Sequence, residues 1–535
     1  MENVAIIVML LFGIAFLGVL SHKYKFPFPI VLVLCGIVIS LIPDLPVITL
    51  APDVVFVVFL PPLLYFAAWR TSWHDFRAAI KPITYAAVGL VLFTTIIVAV
   101  VAHWLIPNMS WALAFLLGAI VAPPDAIAAT AVTKNLGLSR GLLTLIEGES
   151  LVNDASALIA YRYAWAAVIA GNFIWWQAGL NFLLVAGVGI VIGLAIGFVM
   201  KFIHQKFITD PVIEVSLTFL TPYASYLLAE HFHVSGVLAV VATGLFLSFN
   251  SGQVLTHQSR LMADSMWDIV MFILNGLIFV LIGLQLRSVM DGIKDYPARE
   301  LILYGLGISL IVIIVRFVWI IPPMIKNSLM GRKGNGLNTT KKENTQNLII
   351  FGWAGMRGVV SMAAAMALPM IVSEQEAFHQ RSLIIYLTFC VILTTLVLLG
   401  LTLPGLIRLL KVEPYSIVME EYDVRTKVVS EAINYIEENL SLMPDELLHN
   451  IKSKYEVKYN RLQKTELPAN YFGKGKTLAT AVFNQYSQLQ IELLNIERNK
   501  VQQMHRTGEA SDEILRKIER ELDLEEMRLR MEMYS

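Results

Sequence analysis

Thirteen apolar stretches fill the first 410 residues of this 535-residue chain and constrain its fold more than any other feature. The hydrocarbon core of a bilayer is about 30 Å thick, and a helix needs about 20 apolar residues to cross it. Backbone groups find no water there, so the stretches must cross as helices. The sequence therefore predicts an all-α polytopic membrane protein of about 13 transmembrane helices, with approximate limits 2–21, 27–42, 52–69, 82–105, 111–132, 141–170, 178–200, 208–230, 235–250, 266–286, 300–325, 347–372 and 382–410.

The composition agrees with a membrane protein and excludes two other classes. Hydrophobic residues make up 56% of the chain and charged residues 15%, which is far from the balance of a soluble domain. Basic and acidic residues number 41 each, so there is no basic surplus for a nucleic-acid partner. Cys35 and Cys390 both lie in apolar stretches, which argues against a disulfide framework.

The loops between the stretches carry an uneven positive charge. If the N-terminus lies outside, about fifteen Lys and Arg residues fall in internal loops and about four in external loops. Cytoplasmic loops carry an excess of Lys and Arg, so the N-terminus is predicted outside and the C-terminus in the cytoplasm.

The composition changes sharply after Arg408, and this change predicts two domains. Residues 1–411 form the transmembrane domain, and residues 412–535 form a cytoplasmic helical regulatory tail. The end of the tail has apolar residues at helical spacing, namely Ile514, Leu515, Ile518 and Leu522. Four arrangements stay open for it: a coiled coil, an amphipathic helix on membrane lipid, a partner-binding helix, or helices that pack on themselves. No partner of the tail is predicted.

The sixth stretch contains Glu147, Glu149 and Asp154 within eight residues, together with Asn153 and Ser150. A charge near the bilayer centre costs at least about 2.5–3.5 kcal/mol, so such residues line a pathway or find a partner. On a helix the five residues fall on a little under half of the circumference. They therefore predict one polar face, although Glu147 also fits a solvated helix end.

Two other stretches contain helix breakers in mid-membrane. The fifth has Pro123 and Pro124 followed by Asp125, and the twelfth has a Gly-rich run, 352–358, that carries Arg357. The two stretches are seven apart, so they occupy corresponding positions in two halves of opposite orientation. This pattern is typical of inverted-repeat transporters, in which two discontinuous helices cross near the midplane. Two unrelated kinks are the alternative.

Four motifs in this order resemble the monovalent cation:proton antiporter-1 family, the sodium/proton exchangers of NhaP and NHE type. Residues 148–155 read GESLVNDA and resemble the family signature GES-x-x-NDA. Residues 60–64 resemble its LPP motif, 124–126 its unwound fifth span, and 355–361 its G-x-RG-x-x-S motif. The resemblance covers roughly residues 1–410, with the expected span count, and leaves out the tail.

The resemblance implies a secondary antiporter, not an enzyme, that exchanges Na⁺, or Li⁺, for H⁺ across the bacterial inner membrane. Asp154 would bind the cation or the proton in turn, and Ser150 and the Pro124 backbone would contribute oxygens. Asn153 stands where electrogenic relatives have a second Asp, which implies one proton for one cation. The resemblance implies that the ions are substrates and that no cofactor is needed. It also implies a homodimer.

The resemblance also implies structural roles for other charges. Glu149 would form a salt bridge with Arg357, and Asp125 and Arg357 would stabilise the crossing of the broken helices. Glu147 is a possible pathway residue. Arg316 lies in the middle of the eleventh stretch, and the sequence names no partner for it.

Two departures from the family pattern keep other functions open. Phe66 and Ala67 stand where many members have an acidic residue, and Pro124 stands where many have Thr, so the pathway has fewer side-chain oxygens. A potassium/proton antiporter is therefore an alternative within the same class. A cation channel and a membrane-anchored sensor acting through the tail are alternatives from other classes.

Overall fold

The structure is a computed structural model of the chain. It describes residues 2–24, 26–42, 55–133, 138–170, 175–208, 210–294, 296–330, 341–373, 376–378, 380–410, 417–439, 452–453, 455–456, 459 and 480–534. The start of the third predicted span, 52–54, and the predicted domain boundary at 411/412 lie outside these residues.

Helices account for nearly all of the regular structure. They are α1 Glu2–Tyr24, α2 Phe28–Ser40, α3 Leu60–Arg70, α4 Trp73–Ala78, α5 Ile80–Thr84, α6 Val91–Leu105, α7 Trp111–Val121, α8 Ala126–Thr133, α9 Arg140–Ala170, α10 Trp175–Phe207, α11 Pro211–His231, α12 Gly236–Phe249, α13 Ser251–Val254, α14 His257–Asp291, α15 Ala298–Met330, α16 Lys341–Trp353, α17 Val359–Met366, α18 Arg381–Thr394, α19 Gly400–Leu410, α20 Ile417–Asn439, α21 Thr480–Thr507 and α22 Asp512–Tyr534. Three π-helical segments, Val55–Phe59, Tyr85–Leu90 and Thr395–Leu399, are continuous with their neighbouring helices.

The helical membrane fold predicted from the sequence is confirmed. Among the described residues, seven helices are long and apolar enough to cross a membrane, and four shorter apolar helices accompany them. The count of thirteen spans stays a prediction. A small departure from an all-α chain is the antiparallel pair of strands β1 Ile371–Ser373 and β2 Glu376–Ala377.

Burial separates the central helices from those at the periphery. In the span Trp111–Thr133, which contains α7 and α8, 72% of the apolar stretch is buried, whereas in Gly179–Phe207 of α10 the share is 17%. Apolar side chains in a bilayer need no protein partner, so α10 fits a lipid-facing position. The fifth span is inside the helix bundle, where a break in the backbone can find protein partners.

Both predicted breaks are present in the structure. Residues 122–125 separate α7 from α8, and residues 354–358 separate α16 from α17. Pro123 and Pro124 lack the N–H groups that a continuous helix would use. The two breaks meet, because the Asp125 N–H donates to the Met356 carbonyl at 2.7 Å.

By its internal contacts the chain forms two units. The first comprises residues 1–208, 216–250 and 265–414, and the second comprises 209–215, 251–264 and 415–535. In the second unit α20, α21 and α22 pack on one another. The residues at helical spacing in the tail are buried between these helices, so they pack on the tail itself: Ile514, Leu515, Ile518 and Leu522, against Val424, Val428, Leu494 and Val501.

Candidate functional site

The polar face predicted for the sixth stretch lies on α9. Nothing in this run of 31 residues breaks a helix, so its side chains keep helical spacing. Glu149 and Asn153 are almost fully buried, and Asp154 is 7% exposed. Glu147 is half-buried and lies two residues before Glu149. Three costly polar groups are thus held inside the protein by one helix.

Two side chains of α9 bind the backbone of the first break. The Asn153 amide donates to the Pro124 carbonyl at 2.8 Å, and the Ser150 hydroxyl accepts from the Ala126 N–H at 3.2 Å. Pro124 lies within the unwound segment 122–125, and Ala126 is the first residue of α8, so both backbone groups lack helical partners. The motif on α9 therefore fixes the unwound segment of the fifth span.

Asp125 stands at the N-termini of two half-helices. One carboxylate oxygen accepts from the Ile127 N–H at 2.8 Å and so caps α8. The other lies against Gly358, the residue before α17, which offers no side-chain cap of its own. A Cβ atom at Gly358 would overlap this oxygen. A carboxylate is favourable at a helix N-terminus, so Asp125 suits both half-helices.

Arg357 occupies the opposite end of the crossing. Its guanidinium donates to the carbonyls of Val121 and Ala122, each at 3.1 Å, and to Gly355. Val121 is the last residue of α7, whose final carbonyls have no helical partner. A cation is favourable at a helix C-terminus, so Arg357 satisfies both the free carbonyls and the partial negative charge.

The predicted salt bridge between Glu149 and Arg357 is wrong. Glu149 pairs instead with Arg316 of α15 through two parallel bonds of 2.8 and 2.7 Å, and both side chains are about 2% exposed. Arg316 also donates to the Phe351 carbonyl near the end of α16. Because backbone carbonyls already satisfy Arg357, it is Arg316 that neutralises the buried carboxylate.

Asp154 differs from its neighbours on α9. Among the residues that the structure describes, its carboxylate has no hydrogen-bond or ion-pair partner, although it is almost buried. The Oδ1 oxygen of the Asn153 side-chain amide is also buried without a hydrogen-bond partner in that part of the chain. Carboxylate and amide oxygens are the ligands that hard cations prefer. These groups can therefore bind a cation, and the carboxylate can bind a proton instead.

Three participants in the site were not predicted from the sequence. Arg316 could have been singled out in the sequence, because it is an intramembrane charge without a named partner. Nothing in the sequence marks the Met356 carbonyl or the Thr395 hydroxyl. Thr395 accepts from the Arg357 N–H at 3.0 Å. Arg162 and Glu230 pair with each other at 2.8 Å and take no part in the crossing.

Comparison with known proteins gives relatives along most of the chain. An antiporter of Bacillus pumilus described as a sodium, potassium, lithium and rubidium/H⁺ antiporter is 33% identical over 414 residues. The match covers 76% of this chain and 61% of that protein, so the chain spans less than two thirds of its length. An uncharacterized Na⁺/H⁺ exchanger of Mycobacterium tuberculosis is 29% identical over 98% of this chain and 96% of its own.

A solved structure and a family model bear on the fold and the family. The sodium proton antiporter MjNhaP1 from Methanocaldococcus jannaschii superposes with a TM-score of 0.57 at 18% identity, covering 77% of this chain and 99% of its own. That likeness supports the fold. The model of the family described as sodium/hydrogen exchanger, transmembrane, matches residues 6–409. The chain therefore belongs to the sodium/hydrogen exchanger family of secondary transporters, whose members are not enzymes.

Proposed function

We propose that the chain is a secondary antiporter that exchanges Na⁺ for H⁺ across the plasma membrane, one for one, at Asp154. The observation that carries the proposal is the buried Asp154 carboxylate, which has no hydrogen-bond or ion-pair partner among the described residues and adjoins the crossing of two broken helices. Crossings of this kind are where secondary transporters bind their ions.

Exchange follows from competition for one carboxylate. A bare charge is costly inside the membrane, so Asp154 is neutralised either by a proton or by a cation. If the site moves between the two sides of the membrane only when it is neutral, proton and cation must travel in opposite directions. Glu149 does not take part in this exchange, because Arg316 already neutralises it.

The proposed cation ligands are the oxygens around Asp154. They are the Ser150 hydroxyl, the Oδ1 oxygen of the Asn153 side chain and the backbone carbonyl of Pro124. Na⁺ and Li⁺ prefer oxygens of these types. Asn153 carries no charge of its own, which supports one proton for one cation. Glu147, on the same helix, is proposed as a pathway residue.

Potassium is the second candidate cation. The Bacillus pumilus relative is described as acting on sodium, potassium, lithium and rubidium, and Phe66 and Ala67 add no carboxylate to the pathway here. A site with fewer side-chain oxygens discriminates less strongly between cations of different size.

The test is proton movement in proteoliposomes, followed with a pH-sensitive dye while Na⁺, Li⁺, K⁺ or Rb⁺ is added. Wild-type protein is expected to release protons in response to Na⁺ whether or not an ionophore clamps the voltage. Asp154→Asn keeps the size of the side chain but cannot exchange a proton, so its signal should fall to that of empty liposomes. Asp268→Asn is the control, since Asp268 is exposed.

Three results would overturn the proposal. Cation-driven proton movement at the wild-type rate in folded Asp154→Asn would remove the role of Asp154. Ion flux that follows the voltage and moves no protons would identify a channel, and the absence of any flux would leave a sensor acting through the tail.

The protein is further proposed to be a homodimer with its N-terminus outside and its C-terminus in the cytoplasm. The uneven distribution of Lys and Arg between the loops supports the orientation. The partners implied are membrane lipid, a second copy of the chain and the transported ions.

A further inference from the structure

A single peptide unit in the second break is held from both sides. The Met356 carbonyl accepts from the Asp125 N–H at 2.7 Å, and the Arg357 N–H of the same peptide donates to the Thr395 hydroxyl at 3.0 Å. Residues 355–358 are not helical, so neither group has a helical partner. Thr395 therefore fixes the plane of the peptide to which Asp125 is bound.

The peptide between Pro124 and Asp125 belongs to the same series of hydrogen bonds. The Asn153 amide donates to the Pro124 carbonyl at 2.8 Å, and the Asp125 N–H of that peptide donates onward to Met356. The series ends where the Thr395 hydroxyl donates to the Val391 carbonyl at 2.7 Å. Every member donates in the same direction, and hydrogen bonds in such a series polarise one another.

The local structure orients the Thr395 hydroxyl as an acceptor. Thr395 is fully buried and is the first residue of the π-helical segment Thr395–Leu399. Its hydroxyl hydrogen is taken by Val391 of its own helix, so its lone pairs are free to accept from the Arg357 N–H. The hydroxyl is thus an oriented acceptor.

Thr395 is the counterpart of Ser150 in the other half of the protein. Ser150, in the span after the first break, accepts from Ala126 N–H, and Thr395, in the span after the second break, accepts from Arg357 N–H. Each half therefore supplies one hydroxyl to a free backbone N–H at the break of its own discontinuous helix. The correspondence follows the inverted repeat and makes an incidental contact a poor explanation.

We propose that Thr395 is a positioning residue for cation binding, acting through the two linked peptides on the Pro124 carbonyl and on Asn153. The inference rests on the proposed function, in which these groups surround the cation at Asp154. A proton needs only the carboxylate, whereas a cation needs the surrounding oxygens in place. Loss of the Thr395 hydroxyl should therefore weaken the binding of the cation more than the binding of the proton.

The experiment compares Thr395→Val, which keeps the shape but loses the hydroxyl, with Thr395→Ser, which keeps the hydroxyl. Thr388→Val is the matched control. Thr388 is also fully buried on α18, but its hydroxyl donates to Ile384 of its own helix and, within the described residues, accepts from no other span. The full chain is reconstituted, and the KM for Na⁺ and the maximal rate are measured at fixed pH.

Thr395→Val is expected to raise the KM for Na⁺ about five- to tenfold, the factor for one buried hydrogen bond, and to change the maximal rate less than twofold. Thr395→Ser and Thr388→Val should keep the wild-type KM. The concentration of Na⁺ that stabilises the detergent-solubilised protein against heat should shift by the same factor. This second readout does not depend on transport.

The inference is overturned if Thr395→Val changes only the maximal rate, or if Thr388→Val raises the KM equally. If Thr395→Val does not fold, Thr395→Ala is compared with Thr395→Ser in the same way. Failure of both hydroxyl-free variants to fold would make the role structural and overturn it. A wild-type protein that moves no protons in response to any cation fails the proposed function itself, whichever variant is used.

Discussion

At the scale of single residues, two buried arginines have different roles: one neutralises a carboxylate and the other donates to free backbone carbonyls. Arg316 takes the Glu149 carboxylate, and Arg357 takes the backbone carbonyls at the end of α7. The two roles differ in kind. Removal of Arg316 leaves a buried carboxylate without its cation, whereas removal of Arg357 leaves free carbonyls at the crossing.

We predict that Arg316→Ala destabilises the protein by about 3–5 kcal/mol, because it leaves Glu149 charged and buried. The measurement is the thermal unfolding temperature of the detergent-solubilised protein. Adding Glu149→Gln should recover part of the loss by removing the uncompensated charge. Arg162→Ala is the control: Arg162 pairs with Glu230 at an exposed position, where such pairs contribute about 0–1 kcal/mol. An equal fall for Arg162→Ala would show that the burial of the pair is unimportant.

The helical period predicted the polar face of α9, and the family resemblance implied that it lies near Pro124 but assigned Glu149 to the wrong arginine. Ser150, Asn153 and Asp154 follow from the helical period, because they lie on one continuous helix. The partner of Glu149 depends on how α15 and α16 are rotated against α9, and no local pattern specifies that rotation. Arg316 and Arg357 are both buried arginines in apolar stretches, so the sequence does not distinguish between them.

At the scale of elements, the crossing depends on how closely the two breaks approach each other. Gly358 lies where α17 begins, and the Asp125 carboxylate occupies the space that a side chain at Gly358 would need. A Gly at this position is therefore a condition for Asp125 to reach both half-helices. The same carboxylate caps α8, so a shift of α17 would also disturb the first break.

We predict that Gly358→Ala moves α17 away from Asp125, costs about 1–3 kcal/mol of stability from overpacking, and abolishes most of the transport. Gly187→Ala is the matched control, because a Cβ atom at Gly187 has no packing neighbour within 4 Å in the described part of the chain. Thermal unfolding and proton movement are measured for both variants. Wild-type transport by Gly358→Ala would show that Asp125 is not needed at the N-terminus of α17.

The breaks themselves were predictable, whereas the groups that bind them were only partly so. Adjacent prolines remove two helical donors and a Gly-rich run favours helix poorly, so both positions were predicted as breaks from sequence. Prolines alone do not decide the matter, because α15 continues through Pro322 and Pro323. Thr395 could not be predicted. A buried Thr in a helix usually donates to its own backbone four residues earlier, and both Thr388 and Thr395 do so. Only the packing of the second break against its helix separates the two.

At the scale of the whole molecule, the second unit joins parts of the chain that are far apart in sequence. It takes in 251–264, where α14 begins, as well as the tail from residue 415. Within this unit Asp523 of α22 accepts from Arg260 at 2.9 and 3.1 Å and from Arg498 of α21 at 2.9 Å. Arg260 and Asp523 are separated by 263 residues, so no local pattern predicts their pairing.

We predict that Asp523→Asn destabilises the second unit by about 3–5 kcal/mol, since Arg260 and Arg498 are then left with too little compensating charge. Arg498 keeps its bonds to Glu526 at 2.9 Å and to the Asn495 side-chain oxygen at 2.8 Å, of which only Glu526 carries a compensating charge. Hydrogen exchange of the full chain should become faster in residues 480–534 and stay unchanged in residues 111–133. Glu513→Gln, which removes an exposed carboxylate from α22, should leave both regions as in the wild type. If Asp523→Asn exchanges no faster than Glu513→Gln, the buried arginines are stabilised by other groups of the unit.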